Sequence, residues 1–369
     1  FVTYIIFFFF SALPSLLTIM FADAHFAITS ASVAGFIASP TNILNNPITN
    51  PLNAILVKMT LVYSIFATFL TAAIFYRIKK DIFIAFLKNI RPIQSLFHIG
   101  LVGIGIGLAL IFGDGVFMPN PFSLLAIGIL TVAVVIAWYS TVIFNDIVDI
   151  EIDKISNPTR PLVTRIISAR VYNHIGIALG IISVIMVAFV SYHAAILIIF
   201  YHALSYLYSM PPLRLKRFPL IATLVAAIAL FGIVIMAYSI VAREHSLHNF
   251  PVHIGLLLIV AYTISLPIKD IKDIAGDKKN HIYTLPVIFG EKVGRLLIAS
   301  GIFISFGLSV FAFNDLAMLW PALLAGALCF WTLVGVRDKK FIFNAHNSVA
   351  TVFVIVALYG VILAVSLFS

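Results

Sequence analysis

The chain has 369 residues, 62% of them hydrophobic and 10% charged, with a mean hydropathy of +1.13 and a formal net charge of +9 at pH 7. Soluble domains are about half apolar and a quarter charged, so this composition excludes an ordinary soluble domain and points to a polytopic membrane protein. A single cysteine, Cys329, lies inside an apolar run and excludes an internal disulfide or a thiolate metal cluster.

A helix needs about 20 predominantly apolar residues to cross a hydrocarbon layer of roughly 30 Å. Eleven such runs are predicted in chain order, at 1–21, 54–76, 94–113, 121–145, 172–190, 193–209, 219–241, 251–268, 295–313, 316–335 and 348–367. No basic segment precedes the first run, so it reads as a spanning helix rather than a cleaved signal. The loop after it carries no lysine or arginine and includes SPTNILNNPITNP, whose Asn, Pro and Thr favour turns and which contains no glycosylation sequon. After the second run comes RIKKDIFIAFLKNIRP, residues 77–92, a basic amphipathic segment suited to the inner membrane surface and to anionic lipid.

The basic residues set the orientation. All but Lys58 and Arg243 of the 23 lysines and arginines fall in the loops 77–93, 146–171, 210–218, 269–295 and 336–347, which the eleven spans place on one side. That side is cytoplasmic by the positive-inside rule, with the N-terminus inside and the C-terminus outside. Such placement reads the positive charge as a topology signal and not as a nucleic-acid surface.

The acidic residues are concentrated too. Half of the chain's 14 sit in two short windows: Asp146, Asp149, Glu151 and Asp153 in NDIVDIEID, and Asp270, Asp273 and Asp277 in KDIKDIAGD. Both windows show D-x-x-D-x-x-x-D, and both follow spans running toward the basic side. On a helix, Asn145, Asp149 and Asp153 are four residues apart and share a stripe, as do Asp273 and Asp277. A lone acidic run at a membrane boundary is usually a solvated loop. Two matched windows on the same face instead suggest a shared site, and their unneutralised carboxylates would repel one another. An all-oxygen ligand set suits a hard divalent cation, and Mg²⁺ in particular works with a few carboxylates, retained waters and substrate phosphate oxygens. With the basic loops nearby, the substrate headgroup is expected to be a polyanion, most simply a diphosphate.

These residues resemble the UbiA superfamily of intramembrane prenyltransferases. The first window is similar to that family's N-D-x-x-D-x-x-x-D signature at Asn145, Asp146, Asp149 and Asp153, followed by N-P-x-R-P at Asn157, Pro158, Arg160 and Pro161. The second resembles its D-x-x-D-x-x-x-D motif and the T-L-P-V after it, here Thr284, Leu285, Pro286 and Val287. Between them YSMPPLRLKR, residues 208–217, is similar to the family's tyrosine and basic loop. The likeness covers about residues 88–369, where nine predicted spans match the family's nine.

The resemblance implies an all-α transmembrane bundle: a nine-helix prenyltransferase core at 91–369, here preceded by an extension at 1–90 with two further spans. It implies Mg²⁺-dependent transfer of a prenyl group from an isoprenyl diphosphate to a lipophilic acceptor, with the active-site loops facing the cytoplasm. Asn145, Asp149 and Asp153 are then assigned to one Mg²⁺ cluster and Asp273 and Asp277 to another, with Asp146 and Asp270 as further ligands or supporting groups. Asp149 and Asp273 are the central catalytic carboxylates. Arg160, Arg214, Lys216, Arg217 and Lys272 are expected to hold the diphosphate, and Lys216 to act directly in catalysis. Tyr208 positions the acceptor or diphosphate, or anchors its helix at the interface.

One departure is that Asn280 and His281 stand where many relatives have glycine shortly before T-L-P, which puts that loop's conformation in question. His281 reads as a solvated loop histidine more readily than as a base. The 33 phenylalanines suit an isoprenoid cavity and, equally, lipid-facing packing. An aromatic quinone precursor is the first expectation for the acceptor, and a glycerol-phosphate ether-lipid precursor the second. A cation transporter is the rival from another class, since intramembrane carboxylates also mark ion paths. A CDP-alcohol phosphotransferase would show D-G-x-x-A-R, and no such string occurs.

Overall fold

The computed structural model describes residues 30–44, 46–89, 91–114, 121–243, 246–280, 282–335 and 348–368. The first predicted span, the loop 336–347 and His281 lie outside them.

The chain starts with α1 (Ser30–Ala38) and a two-stranded antiparallel ribbon of β1 (Thr41–Ile43) and β2 (Asn46–Ile48). It continues through α2 (Pro51–Ile78) and the short α3 (Lys80–Lys88). Pro51 opens α2 where no backbone donor is needed, and the Asn50 side chain accepts from the Leu52 and Asn53 amides. The ribbon is the one departure from an all-α expectation among the described residues, and it occupies the Asn- and Pro-rich loop.

The core follows as α4 (Pro92–Phe112), α5 (Pro121–Val148), α6 (Ile150–Ser156), α7 (Ala169–Val190), α8 (Tyr192–Ser209) and α9 (Ile221–Val241). Then come α10 (Val252–Ser265), α11 (Ile274–Lys279), α12 (Leu285–Ala312), α13 (Leu319–Phe330) and α14 (Ser348–Phe368). Nine described spans are long and apolar enough to cross a membrane, two of them only with the 3-10 or π-helical turns that adjoin α10 (Val252–Ile271) and α13 (Leu316–Gly335). The eighteen-residue α8 is not among them, because Tyr192, His193, Tyr201, His202, Tyr206 and Tyr208 dilute its apolar character. It nonetheless sits inside the bundle, packed against α5, α7 and α9.

Successive core helices pack on one another, α9 also lies against α4, and the series returns on itself where α14 meets α4. Up-and-down running then brings the starts of α4, α7 and α12 and the ends of α5, α8 and α10 to one end of the bundle. Both acidic windows sit there. The TLPV segment opens α12, which bends sharply at Gly290. The backbone there has φ +78°, a conformation open to glycine without strain.

Lys58, the lysine inside a predicted span, is buried against α1. Its ammonium donates to the Phe36 and Ser39 carbonyls at 2.8 and 2.9 Å and to Ser39 Oγ at 3.2 Å. The Phe36 and Phe122 rings each lie 5.2 Å from it. A cation at a helix C-terminus satisfies carbonyls that have no partner within the helix. Lys58→Met is therefore expected to strip these bonds and lower stability by about 1–3 kcal/mol, read as a fall in melting temperature in detergent.

Candidate active site

The first window lies at the break between α5 and α6. Asp149 occupies that break with φ −100° and ψ 15°, yet the amides of Asp149 and Asp153 still bond to the carbonyls four residues back, at 2.9 and 2.8 Å. The side chains sort into two groups. Asn145 and Asp149 face the loop after α8: Asn145 Oδ1 accepts from Ser209 Oγ at 3.2 Å and from Lys216 Nζ at 3.0 Å. Asp149 is paired with Lys216 and accepts from Arg214 Nη2 at 2.8 Å.

Asp146 and Asp153 form the second group around Arg160, which pairs with both, at 2.8 Å to Asp146. Asp146 also accepts from Arg91 at 2.9 Å, and Asn89 Nδ2 and the Tyr172 hydroxyl approach it at 3.4 Å. Asn157 donates to Asp153 at 3.1 Å. The expected single stripe of Asn145, Asp149 and Asp153 is thus divided. Residues seven apart, such as Asp146 and Asp153, also share a helix face, and the reach of Arg160 from the N-P-x-R-P turn selects that pair. Burial pushes the Asp153 carboxyl up to about 6 despite Arg160.

The second window begins in a 3-10 segment, Leu266–Lys272, at the end of α10 and continues into α11. Asp273 stands at the junction, with Oδ1 buried and lacking a hydrogen-bond partner. Asp277 lies one turn on, its amide bonded to the Asp273 carbonyl at 2.9 Å. Burial pushes its carboxyl up to about 7, and the charges of Asp270, Asp273 and Asp149 add to the effect, opposed by Lys216. Lys269 Nζ donates to the Tyr208 hydroxyl at 3.0 Å, which ties the end of α8 to this window.

What brings the windows together is the packing of α11 against α6. Gly276 permits it: a Cβ there would lie 2.7 Å from Ser156 Oγ and 3.0 Å from Ile152 Cγ2. The glycine of KDIKDIAGD is thus the contact point between the two acidic helices.

Lys216 is buried, and its burial lowers the ammonium's pKa against the pull of Asp149. Arg214 holds the left-handed conformation, φ +40°, and its Nε is buried without a partner. Arg217 is exposed on the neighbouring turn, outside the paired cluster. Lys272 closes the 3-10 segment one residue before Asp273. Asn280 has φ −101° and bonds the Gly276 carbonyl at 2.9 Å, so the backbone at that departure makes no left-handed turn. Sequence reading missed Asn89, Arg91, Tyr172, Ser209 and Lys269 as members of the site. Lys269 and Ser209 each adjoin a residue already singled out; the others carry no local signal.

Among the described residues, no three histidine, cysteine or carboxylate groups converge into a ready-made cation cage. Mg²⁺ does not require one, since it is held by one or two carboxylates with water and phosphate oxygens filling the octahedron. An orphaned Asp273 oxygen beside Asp277, whose carboxyl is raised by burial and by the charges of three neighbouring carboxylates, fits such an ion.

A model of the UbiA prenyltransferase family matches residues 106–341, well over half of the chain. The chain belongs to this family. It is an integral, multi-pass membrane protein of the UbiA fold. A digeranylgeranylglyceryl phosphate synthase from Thermococcus sibiricus is 34% identical over 224 residues, 60% of this chain and 75% of that one. Other relatives of the same description match over about half of their length. A homogentisate phytyltransferase from Synechocystis is 25% identical over 254 residues, 66% of this chain and 82% of the relative. The solved structure of a UbiA homologue from Archaeoglobus fulgidus bound to GPP and Mg²⁺ superposes with a TM-score of 0.57 over 77% of this chain and 98% of that one, at 18% identity. That likeness concerns the fold.

Proposed function

We propose that this UbiA-family protein is a Mg²⁺-dependent prenyltransferase that moves a prenyl group from an isoprenyl diphosphate to a glycerol-phosphate ether-lipid precursor. The observation that carries the reading is the contact of α6 and α11 through Gly276, which sets the carboxylates of both windows at one end of the bundle beside Arg214 and Lys216. Support for Mg²⁺ comes from the Archaeoglobus homologue, bound to GPP and Mg²⁺. When bound, the ion neutralises charge that grows on the departing diphosphate as the allylic carbon–oxygen bond breaks.

The chain's own residues have distinct tasks in this reading. Asn145, Asp149, Asp273 and Asp277 supply oxygen ligands, and Asp270 and Asp153 support them. Asp146, enclosed by Arg91, Arg160, Asn89 and Tyr172, holds the two arginines in place instead of meeting the ion. Arg214, with a free Nε, and Lys216 take phosphate oxygens, while Arg160, Arg217 and Lys272 add positive potential. Tyr208, held by Lys269 and near enough to Asp270 and Asp149 to feel their charges, positions the reactants. Loops rich in lysine and arginine put this end in the cytoplasm, with the N-terminus inside and the C-terminus outside.

The relatives reverse the order of acceptors expected from sequence. Relatives named for digeranylgeranylglyceryl phosphate support the ether-lipid precursor, and the homogentisate enzyme keeps an aromatic acceptor as the second reading. A transporter is disfavoured because both windows lie at helix ends on one side of the bundle, and not midway along spans.

The decisive assay incubates the protein in membranes with labelled geranylgeranyl diphosphate and either geranylgeranylglyceryl phosphate or homogentisate. Product is expected with the first acceptor, lost in EDTA and restored by Mg²⁺. Product with homogentisate alone would establish the second reading, and none with either would overturn both.

A further inference from the structure

Four residues of the charged end have aromatic or imidazole counterparts seven positions deeper in the same segment. Arg91 is followed by His98, Asn145 is preceded by Trp138, Tyr208 by Tyr201 and Lys269 by Tyr262. Within an α-helix seven residues are two turns, which place Trp138 and Tyr201 on the faces of Asn145 and Tyr208 about 10 Å further into the membrane, while His98 and Tyr262 lie below the helix cap at Arg91 and the 3-10 segment that carries Lys269.

The counterparts meet. His98 lies 5.1 Å from Trp138 and 6.4 Å from Tyr201 between ring centroids, and its Nε2 is 3.5 Å from the Tyr201 hydroxyl. Phe97, its neighbour on α4, extends the layer to Tyr262 at 6.0 Å and to Phe353 of α14 at 6.4 Å. Five helices therefore contribute to one continuous aromatic tier, in which His98, Trp138, Tyr201 and Tyr262 are all buried. The Tyr262 hydroxyl is buried without a protein partner, which stability alone does not favour. Between this tier and the charged one come two small, half-buried side chains that both hydrogen-bond with the Tyr201 hydroxyl: Thr141, one turn before Asn145, and Ser205, one turn before Ser209.

We infer that this tier is the floor of the donor site and fixes how long a prenyl chain is accepted in extended form. The inference rests on the function proposed above, with the diphosphate at the charged end and the chain pointing inward. An extended geranyl chain spans a depth of this size. A geranylgeranyl chain exceeds it and must turn at the rings and leave between helices. Trp138 and Tyr201 are then specificity-determining residues that act by excluded volume, and Ser205 governs the width above them.

The test compares kcat/KM for geranyl, farnesyl and geranylgeranyl diphosphates in the unaltered protein, in Trp138→Ala and Tyr201→Ala, and in Ser205→Leu. Each alanine variant is expected to shift the ratio of longest to shortest donor by roughly 10-fold or more, the discrimination that a few methylenes in an apolar pocket provide. Ser205→Leu should shift it in the opposite direction. Melting temperature serves as the folding control, and Ser205→Leu decides the matter should the alanine variants not fold. Unchanged ratios in folded variants would overturn the floor and leave the tier as ordinary core packing. If the unaltered protein turns over no donor of any length, it is the prenyltransferase reading that fails.

Discussion

Asp273→Asn is expected to reduce prenyl transfer by at least ~10²-fold while leaving the melting temperature nearly unchanged. The size is that of removing one preorganised electrostatic contact from a transition state in a water-poor site. The separation of activity from stability follows from the geometry. Asp273 Oδ1 is buried and bonded to nothing in the protein, and the side chain does not cap α11, so an amide of the same shape breaks no hydrogen bond of the fold, and the attraction it gives up to Arg160 and Lys269 is offset by relief of repulsion with Asp277. Asp149→Asn should cost as much activity and also stability, on the order of a few kcal/mol, because Lys216 is left buried beside a neutral partner. Turnover and thermal melts of the two purified variants check both statements. Near-normal turnover in Asp273→Asn would remove the second window from the chemistry.

The contrast between these two aspartates also shows what can be read from a sequence and what cannot. Nine of the spans follow from unbroken apolar runs of sufficient length, and the run at 193–209 is read on the same ground although its tyrosines and histidines make α8 the least apolar of them. The windows are legible because charge is scarce everywhere else. Their internal pairing is not legible. Spacing groups Asn145 with both Asp149 and Asp153, whereas the fold gives Asp149 to Lys216 and Asp153 to Arg160. Which basic residue reaches which carboxylate depends on loop paths, and the Arg91 to Asp146 pair joins residues 55 positions apart. Asn89 and Tyr172 enter the site for the same reason, one from the C-terminal cap of α3 and the other from the first turn of α7. Gly276 is visible in the string, but its purpose appears only when α6 lies across it.

That purpose gives the second large effect. Gly276→Val is expected to lower turnover by at least ~10²-fold and to raise the Mg²⁺ concentration needed for half-maximal activity, because displacement of catalytic groups by about 1 Å can cost that much. A first methyl group meets Ser156 Oγ at 2.7 Å, a flexible end that can rotate away, and Ile152 Cγ2 at 3.0 Å. Gly276→Ala should therefore be tolerated with a loss of a few-fold. The branches of valine have nowhere to go, since the Ile152 carbonyl already lies 3.5 Å from the first carbon and belongs to the α6 backbone. Helix α11 must lift, and Asp273 and Asp277 move with it, away from Asn145 and Asp149. Overpacking of this kind costs about 1–3 kcal/mol, which a bundle of this size survives, so the protein should still fold. The Mg²⁺ dependence separates this outcome from simple damage: a misfolded fraction lowers the maximal rate without changing the ion concentration at half-maximum, whereas separated windows change both. A valine variant with the ordinary rate and ordinary Mg²⁺ requirement would show that the two acidic helices do not act as one site.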